Sequence, residues 1–147
     1  MNNAPIQLLL ADDDSDDCNL FMEALRELPI LTRLSMVHNG EQLTQMLLKL
    51  ATLPAALFLD LNMPRKNGIE CLTEIRMHQK LKELPVIVYS TSFEPGVIEQ
   101  LYEKGAHYYI QKPAEFSKLK QVIYNGIMLA INTIGLRPSK ENFVVNP

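Results

Sequence analysis

An α/β fold is predicted for this chain: one (βα)5 domain on a doubly wound parallel sheet of five strands. Two observations predict it. Five short apolar runs alternate with stretches of helical period until near the C-terminus, the pattern of βα units rather than of hairpins. Several of the runs are also continuously hydrophobic, as strands are when helices cover both faces of their sheet.

The runs lie at residues 6–11, 34–37, 55–59, 86–89 and 108–111. Between them apolar residues recur three and four apart, as on one face of a helix. The sets are Phe21, Ala24, Leu25 and Leu28; Leu43, Met46, Leu47 and Leu50; Ile69, Leu72 and Ile75; Val97, Ile98 and Leu101; and Leu119, Val122, Ile123, Ile127 and Ala130. Punctuation agrees with this division. Asp14 or Ser15 is placed to cap the first helix, Asn39-Gly40 opens the second, Pro54 and Pro85 precede strands, and Ser92 with Pro95 marks the start of the fourth helix. Residues 136–147 mix Pro, Ser, Lys and Asn and read as a loose tail. The expected organisation is a domain at 5–133 and a C-terminal tail at 134–147.

Composition narrows the function. A chain of 147 residues with 47% hydrophobic content has room for one core and no second catalytic or DNA-binding domain. Its net charge of -3, with no cluster of Lys and Arg, argues against nucleic acid as a partner. No apolar stretch reaches the roughly 18 to 20 residues needed to cross a bilayer, and no basic region precedes residues 6–11 as in a signal peptide. Cys18 and Cys71 lie far apart, without the spacing of a metal or redox pair. The expected compartment is the cytoplasm, with no membrane partner.

Right-handed crossovers bring the C-terminal ends of parallel strands to one edge of the sheet, where ligands of such folds bind. Those ends carry Asp12, Asp13 and Asp14; Asp60 and Asn62; Ser90, Thr91 and Ser92; and Lys112 with Pro113. Singly, each has an ordinary structural explanation. The aspartates suit a helix N-terminus, the lysine a solvated surface, and the serine a strand-end backbone group. Asp60 is harder to explain so, because a carboxylate following Leu57-Phe58-Leu59 is costly to bury without a cation. Together the residues make chemical sense. Carboxylates a few ångströms apart repel by roughly 3 to 4 kcal/mol per pair at an effective dielectric near 20. A hard cation such as Mg²⁺ offsets that repulsion and also meets phosphate oxygens, while an ammonium and a hydroxyl stabilise a phosphoryl group in transfer to a carboxylate.

With these residues assembled, the chain resembles the receiver domains of two-component response regulators over about residues 6–131, most closely the stand-alone, chemotaxis-regulator-like kind. The resemblance implies a flavodoxin-like sheet of order 2-1-3-4-5. It also implies that Asp60 is the phosphoacceptor and that Mg²⁺ is held by Asp13 directly, by Asp12 mostly through water, by Asp60 and by the backbone carbonyl of Asn62. Met63-Pro64 and Gly68 match the turn after the phosphoacceptor. Ser90 matches the hydroxyl residue, Lys112 the phosphate-binding lysine, and Tyr109 the rotameric aromatic of strand five. A cis Lys112–Pro113 bond is implied too. Ser90 and Tyr109 form the implied switch, Ser90 moving toward the phosphoryl oxygens and Tyr109 turning inward. Thr91 departs from the usual Ala or Gly, and its bulk is expected to narrow access to the phosphoryl group and slow its loss.

The implied partners are a histidine kinase or phosphotransfer protein and a downstream protein. A homodimer through the last helix is expected as well, because Met128, Leu129 and Ile131 fall off its buried stripe. The competing cover for those residues is the tail, through Phe143 and Val144. Three other functions fit less well. A pseudo-receiver that binds without phosphoryl transfer gives no reason to keep the full set Asp12, Asp13, Asp60, Ser90 and Lys112. A phosphatase of the haloacid dehalogenase type wants an aspartate where Asn62 stands. Flavodoxin-like flavin binding would set a phosphate against three aspartates.

Overall fold

The computed structural model describes residues 4–132 and 136–147; the expected domain boundary at 133 and 134 lies outside the described residues. Five strands, β1 (Ile6–Ala11), β2 (Thr32–Val37), β3 (Ala56–Leu59), β4 (Val86–Ser90) and β5 (Tyr108–Gln111), form one sheet in the order β2-β1-β3-β4-β5. Every pairing is parallel. Helices α1 (Ser15–Arg26), α2 (Gly40–Lys49), α3 (Gly68–Met77), α4 (Pro95–Glu103) and α5 (Phe116–Asn132) alternate with the strands.

The sequence explains both faces of the sheet. β3 and β4 are buried at every position, as their unbroken apolar runs require. Leu9, Leu57, Val86 and Val88 pack toward Leu43, Leu47, Leu72 and Leu101 in one core. Leu8, Leu10, Phe58 and Ile87 pack toward Phe21, Leu25, Ile123 and Ile127 of α1 and α5 in the other. Phe21 meets Phe58 and Tyr89 edge to face, with ring centroids 4.9 and 5.4 Å apart, which fixes how α1 sits on the sheet. Asp14 caps α1, Asn39 caps α2, and Asn67 and Glu70 form a reciprocal capping box on α3.

Register carries this order into the loops. Ala11 pairs with Leu59 and Leu59 with Val88, so the residues that follow β1, β3 and β4 emerge side by side. The ladder continues one step past the strands: the Asp12 N–H donates to Val37 O at 3.1 Å, Asp60 N–H to Ala11 O at 2.9 Å, and Lys112 N–H to Ser90 O at 2.7 Å. The site is thereby an extension of the sheet.

Four expectations are corrected. β2 begins at Thr32, two residues earlier than its apolar run, because this edge strand alternates half-buried and exposed positions and its polar half hides it. Glu94, not Ser92, precedes α4, and it makes no side-chain cap; Pro95, with φ preset for a helix, starts the helix. The Lys112–Pro113 bond is trans, the lower-energy isomer, and no described peptide bond is cis. The segment 136–147 is not loose. Phe143 and Val145 are buried, and backbone bonds from Tyr109 N–H to Phe143 O and from Val145 N–H to Tyr109 O lay the segment along the free edge of β5. An edge strand has unpaired backbone groups to offer, and a chain end with three apolar residues in a row fills them.

Gly68 opens α3 against the site. A Cβ there would lie 2.5 Å from the Asp60 carbonyl oxygen and 2.8 Å from Leu61 Cα, so only glycine allows this approach. Gly68→Ala is expected to destabilise the fold by about 1 to 3 kcal/mol, read from urea unfolding. An unchanged midpoint would show that the loop after β3 gives way at no cost.

Candidate functional site

Asp12 and Asp60 follow β1 and β3 and are buried, whereas Asp13 is exposed at the mouth. One carboxylate oxygen of each lies within 4.8 Å of the others. Local bonds hold the acidic loop in place. Asp12 Oδ1 accepts the Asp14 N–H at 3.0 Å, and Asp14 accepts the Asp17 N–H at 3.0 Å as the cap of α1. His38 Nδ1 and Cys18 Sγ approach the Asp12 carbonyl at 3.1 and 3.4 Å.

Lys112 follows β5 and reaches back across the sheet edge. Its Nζ lies 2.8 Å from Asp12 Oδ2, 2.9 Å from Asp17 Oδ2, 4.0 Å from Asp60 Oδ1, and 4.8 Å from the Tyr89 ring centroid. Asp17 was absent from the residues singled out in the sequence, since acidic residues in a first helical turn are ordinary. Its position one turn beyond the Asp12–Asp14 run was the available signal. Burial lowers the Lys112 pKa, but its bonds to Asp12 and Asp17 outweigh that and leave it raised. Burial pushes Asp60 up to about 7, helped by the Asp12 charge and opposed by Lys112 and the Asn62 N–H. One ammonium does not neutralise this many carboxylates. A compact set of hard oxygen donors in excess of local positive charge fits a magnesium site.

Ser90 ends β4 and is fully buried, Thr91 is exposed beside it, and Asn62 is exposed beyond Asp60. The Ser92 N–H donates to Ser90 Oγ at 3.2 Å, and the two hydroxyls are 3.2 Å apart. The Tyr109 hydroxyl donates to the Ser92 carbonyl at 2.5 Å. Tyr109, expected to turn inward on switching, is inward already and fully buried. Phe93 and Phe143 enclose its ring at centroid distances of 6.3 and 6.4 Å. Met128 and Leu129 of α5, expected to meet a second copy, line a cleft with Val144 and Val145 of the chain's own C-terminal segment.

Residues 8–124 match the response regulator receiver domain family. The chain belongs to this family. The response regulator Rcp1 of Synechocystis sp. is 29% identical to this receiver over 127 residues, covering 83% of this chain and 86% of that protein. A crystal structure of the phosphorylated cyanobacterial phytochrome response regulator RcpA superposes with a TM-score of 0.78 at 33% identity, covering 92% of this chain and 100% of that one. The Mn²⁺-bound form of Rcp1 superposes with a TM-score of 0.74 at 26% identity and the same coverage. These likenesses are to stand-alone regulators, and the receiver is a two-component signalling protein. Among the described residues no helix is long and apolar enough to cross a membrane.

The buried carboxylate has a consequence for stability. Asp60 binds its proton more tightly in the folded receiver, with a pKa of about 7 against an ordinary 3.8. Between those values unfolding releases a proton, so stability falls as pH rises through that window. In cation-free buffer Asp60→Asn should melt with wild type near pH 4 and higher by on the order of 5 °C near pH 8. Melting curves that coincide at both pH values would show that Asp60 carries no such burden.

Proposed function

We propose that this receiver accepts a phosphoryl group on Asp60 from a histidine kinase or a phosphotransfer protein in a Mg²⁺-dependent reaction, and signals through Ser90 and Tyr109 to a protein partner in the cytoplasm. The observation that carries the proposal is the setting of Asp60: a buried carboxylate at a strand end, within 4.8 Å of two more and 4.0 Å from a buried ammonium. A merely structural carboxylate gains nothing from that crowding.

One Asp60 carboxylate oxygen forms the new bond to phosphorus as the bond from phosphorus to the donor's imidazole nitrogen breaks, and that electron pair returns to the imidazole. Lys112 moves its charge from Asp12 and Asp17 onto a phosphoryl oxygen. Ser90 releases Ser92 and donates its hydroxyl to another. Asp12, Asp13, Asp60 and the backbone carbonyl of Asn62 would hold Mg²⁺, which would supply positive charge to the phosphoryl group in transfer. Thr91, exposed next to Ser90, crowds the path of a hydrolytic water and lengthens the life of the acyl phosphate. The likeness to a phytochrome response regulator supports a phytochrome-type kinase as the input.

Incubated with Mg²⁺ and acetyl phosphate, the wild-type protein should gain the mass of one phosphoryl group and Asp60→Asn none. Equal labelling of the two would refute Asp60 as the acceptor. In the same assay Thr91→Ala should shorten the phosphorylated lifetime by about two- to tenfold, of the size expected for about 0.4 to 1.4 kcal/mol in a barrier. An unchanged lifetime would remove Thr91 from the account.

A further inference from the structure

The face formed by α4, β5 and α5 is already occupied. Residues 136–147 cross it from the Tyr102 end to the Asn125 end. The Tyr102 hydroxyl donates to the Pro138 carbonyl at 3.0 Å, Lys140 pairs with Glu99 of α4, and Asn125 of α5 donates to the Asn146 carbonyl at 2.9 Å. At the centre, Phe143 is buried with its ring 5.2 Å from that of Tyr102 and 6.4 Å from that of Tyr109. The segment also brackets Tyr109 through its backbone, which donates to Phe143 O at 3.0 Å and accepts from the Val145 N–H at 2.9 Å. A single residue of β5 therefore carries both edge hydrogen bonds and the aromatic contact.

Tyr109 in turn reaches the phosphoryl site. Its hydroxyl holds the Ser92 carbonyl, and the Ser92 amide and hydroxyl hold Ser90 Oγ. In the switch that the receiver resemblance implies, Tyr109 turns inward when Asp60 is phosphorylated. Here it is inward beneath Phe143 with no phosphoryl group in play.

We propose that residues 136–147 are a tethered ligand of the α4–β5–α5 face, and that their docking and the phosphorylation of Asp60 favour each other by stabilising the same inward position of Tyr109. The inference rests on the phosphoacceptor reading of Asp60. Coupling of this kind is reciprocal: what the segment contributes to phosphoryl binding, the phosphoryl group contributes to docking the segment. It also makes a partner for this face a competitor of the segment, so that a partner must displace Phe143 to reach Tyr109.

The test uses the 147-residue chain with Mg²⁺ and beryllofluoride as the phosphoryl mimic. Phe143→Ala should weaken beryllofluoride binding by roughly five- to tenfold. Lys140→Glu, which leaves the core untouched, should weaken it about twofold, with recovery when Glu99→Lys restores the pair. Reciprocally, beryllofluoride should slow hydrogen exchange at the Val145 and Tyr109 amides of the wild type. If wild type binds the mimic but both variants bind it equally well and exchange at those amides is unchanged, the coupling is overturned while Asp60 stands as the acceptor. If wild type does not bind the mimic at all, the phosphoacceptor reading fails and the coupling with it. Sedimentation showing a wild-type dimer that Phe143→Ala dissociates would overturn the assignment of the segment to its own chain.

Discussion

The mutual repulsion of Asp12, Asp13 and Asp60 is the constraint around which the rest of the structure is arranged. With carboxylate oxygens within 4.8 Å of one another, each charged pair costs about 3 to 4 kcal/mol at an effective dielectric near 20. The sheet forces the encounter, because the pairing of Ala11 with Leu59 makes the next residue of each strand a neighbour of the other. Lys112 relieves part of it, and so does Asp60, whose proton is held up to about pH 7 chiefly by burial and further by the Asp12 charge. Neither remedy would suffice for the proposed phosphoryl transfer, which needs an ionised Asp60 and brings further negative charge. On the proposed function, a cation would be the remaining way to have all three carboxylates and the phosphoryl group in one place.

Support for the cluster reaches well beyond it. The acidic loop is pinned by the cap of α1, by His38 after β2 and by Cys18 of α1. The loop after β3 is kept close by a glycine whose Cβ would collide with the Asp60 carbonyl. From the other side, Ser90 connects through Ser92 to Tyr109, and Tyr109 to the C-terminal segment. Packed groups of this kind have few alternative arrangements, and the proposed switch would use that to turn a change in charge at one end into a choice between positions at the other.

Much of this was legible in the sequence for a physical reason. β1 and β5 were read to the residue, because strands buried on both faces or against helices leave continuous apolar runs. The meeting of Asp12, Asp13, Asp60 and Lys112 followed from topology, since strand ends of a parallel sheet share one edge. What escaped lies where composition and location diverge. β2 alternates as edge strands do, and its first two residues are polar. The C-terminal segment has Pro, Ser, Lys and Asn around Phe143, Val144 and Val145, and its average composition reads as loose even though Phe143 and Val144 stand out as a possible cover for α5. Asp17 and Ser92 are ordinary residues in ordinary places, and only the fold shows that one reaches Lys112 and the other lies between Ser90 and Tyr109.

Calorimetric titration of Mg²⁺ into the wild-type protein and Asp13→Ala, with melting curves of both in cation-free buffer, tests most directly whether the carboxylates are kept together for a cation. The account predicts saturable binding at one site in wild type and at least tenfold weaker binding in the variant, whose cation-free melting temperature equals or exceeds that of wild type because one repelling charge is gone. Equal Mg²⁺ affinity, or a cation-free variant less stable than wild type, would contradict it.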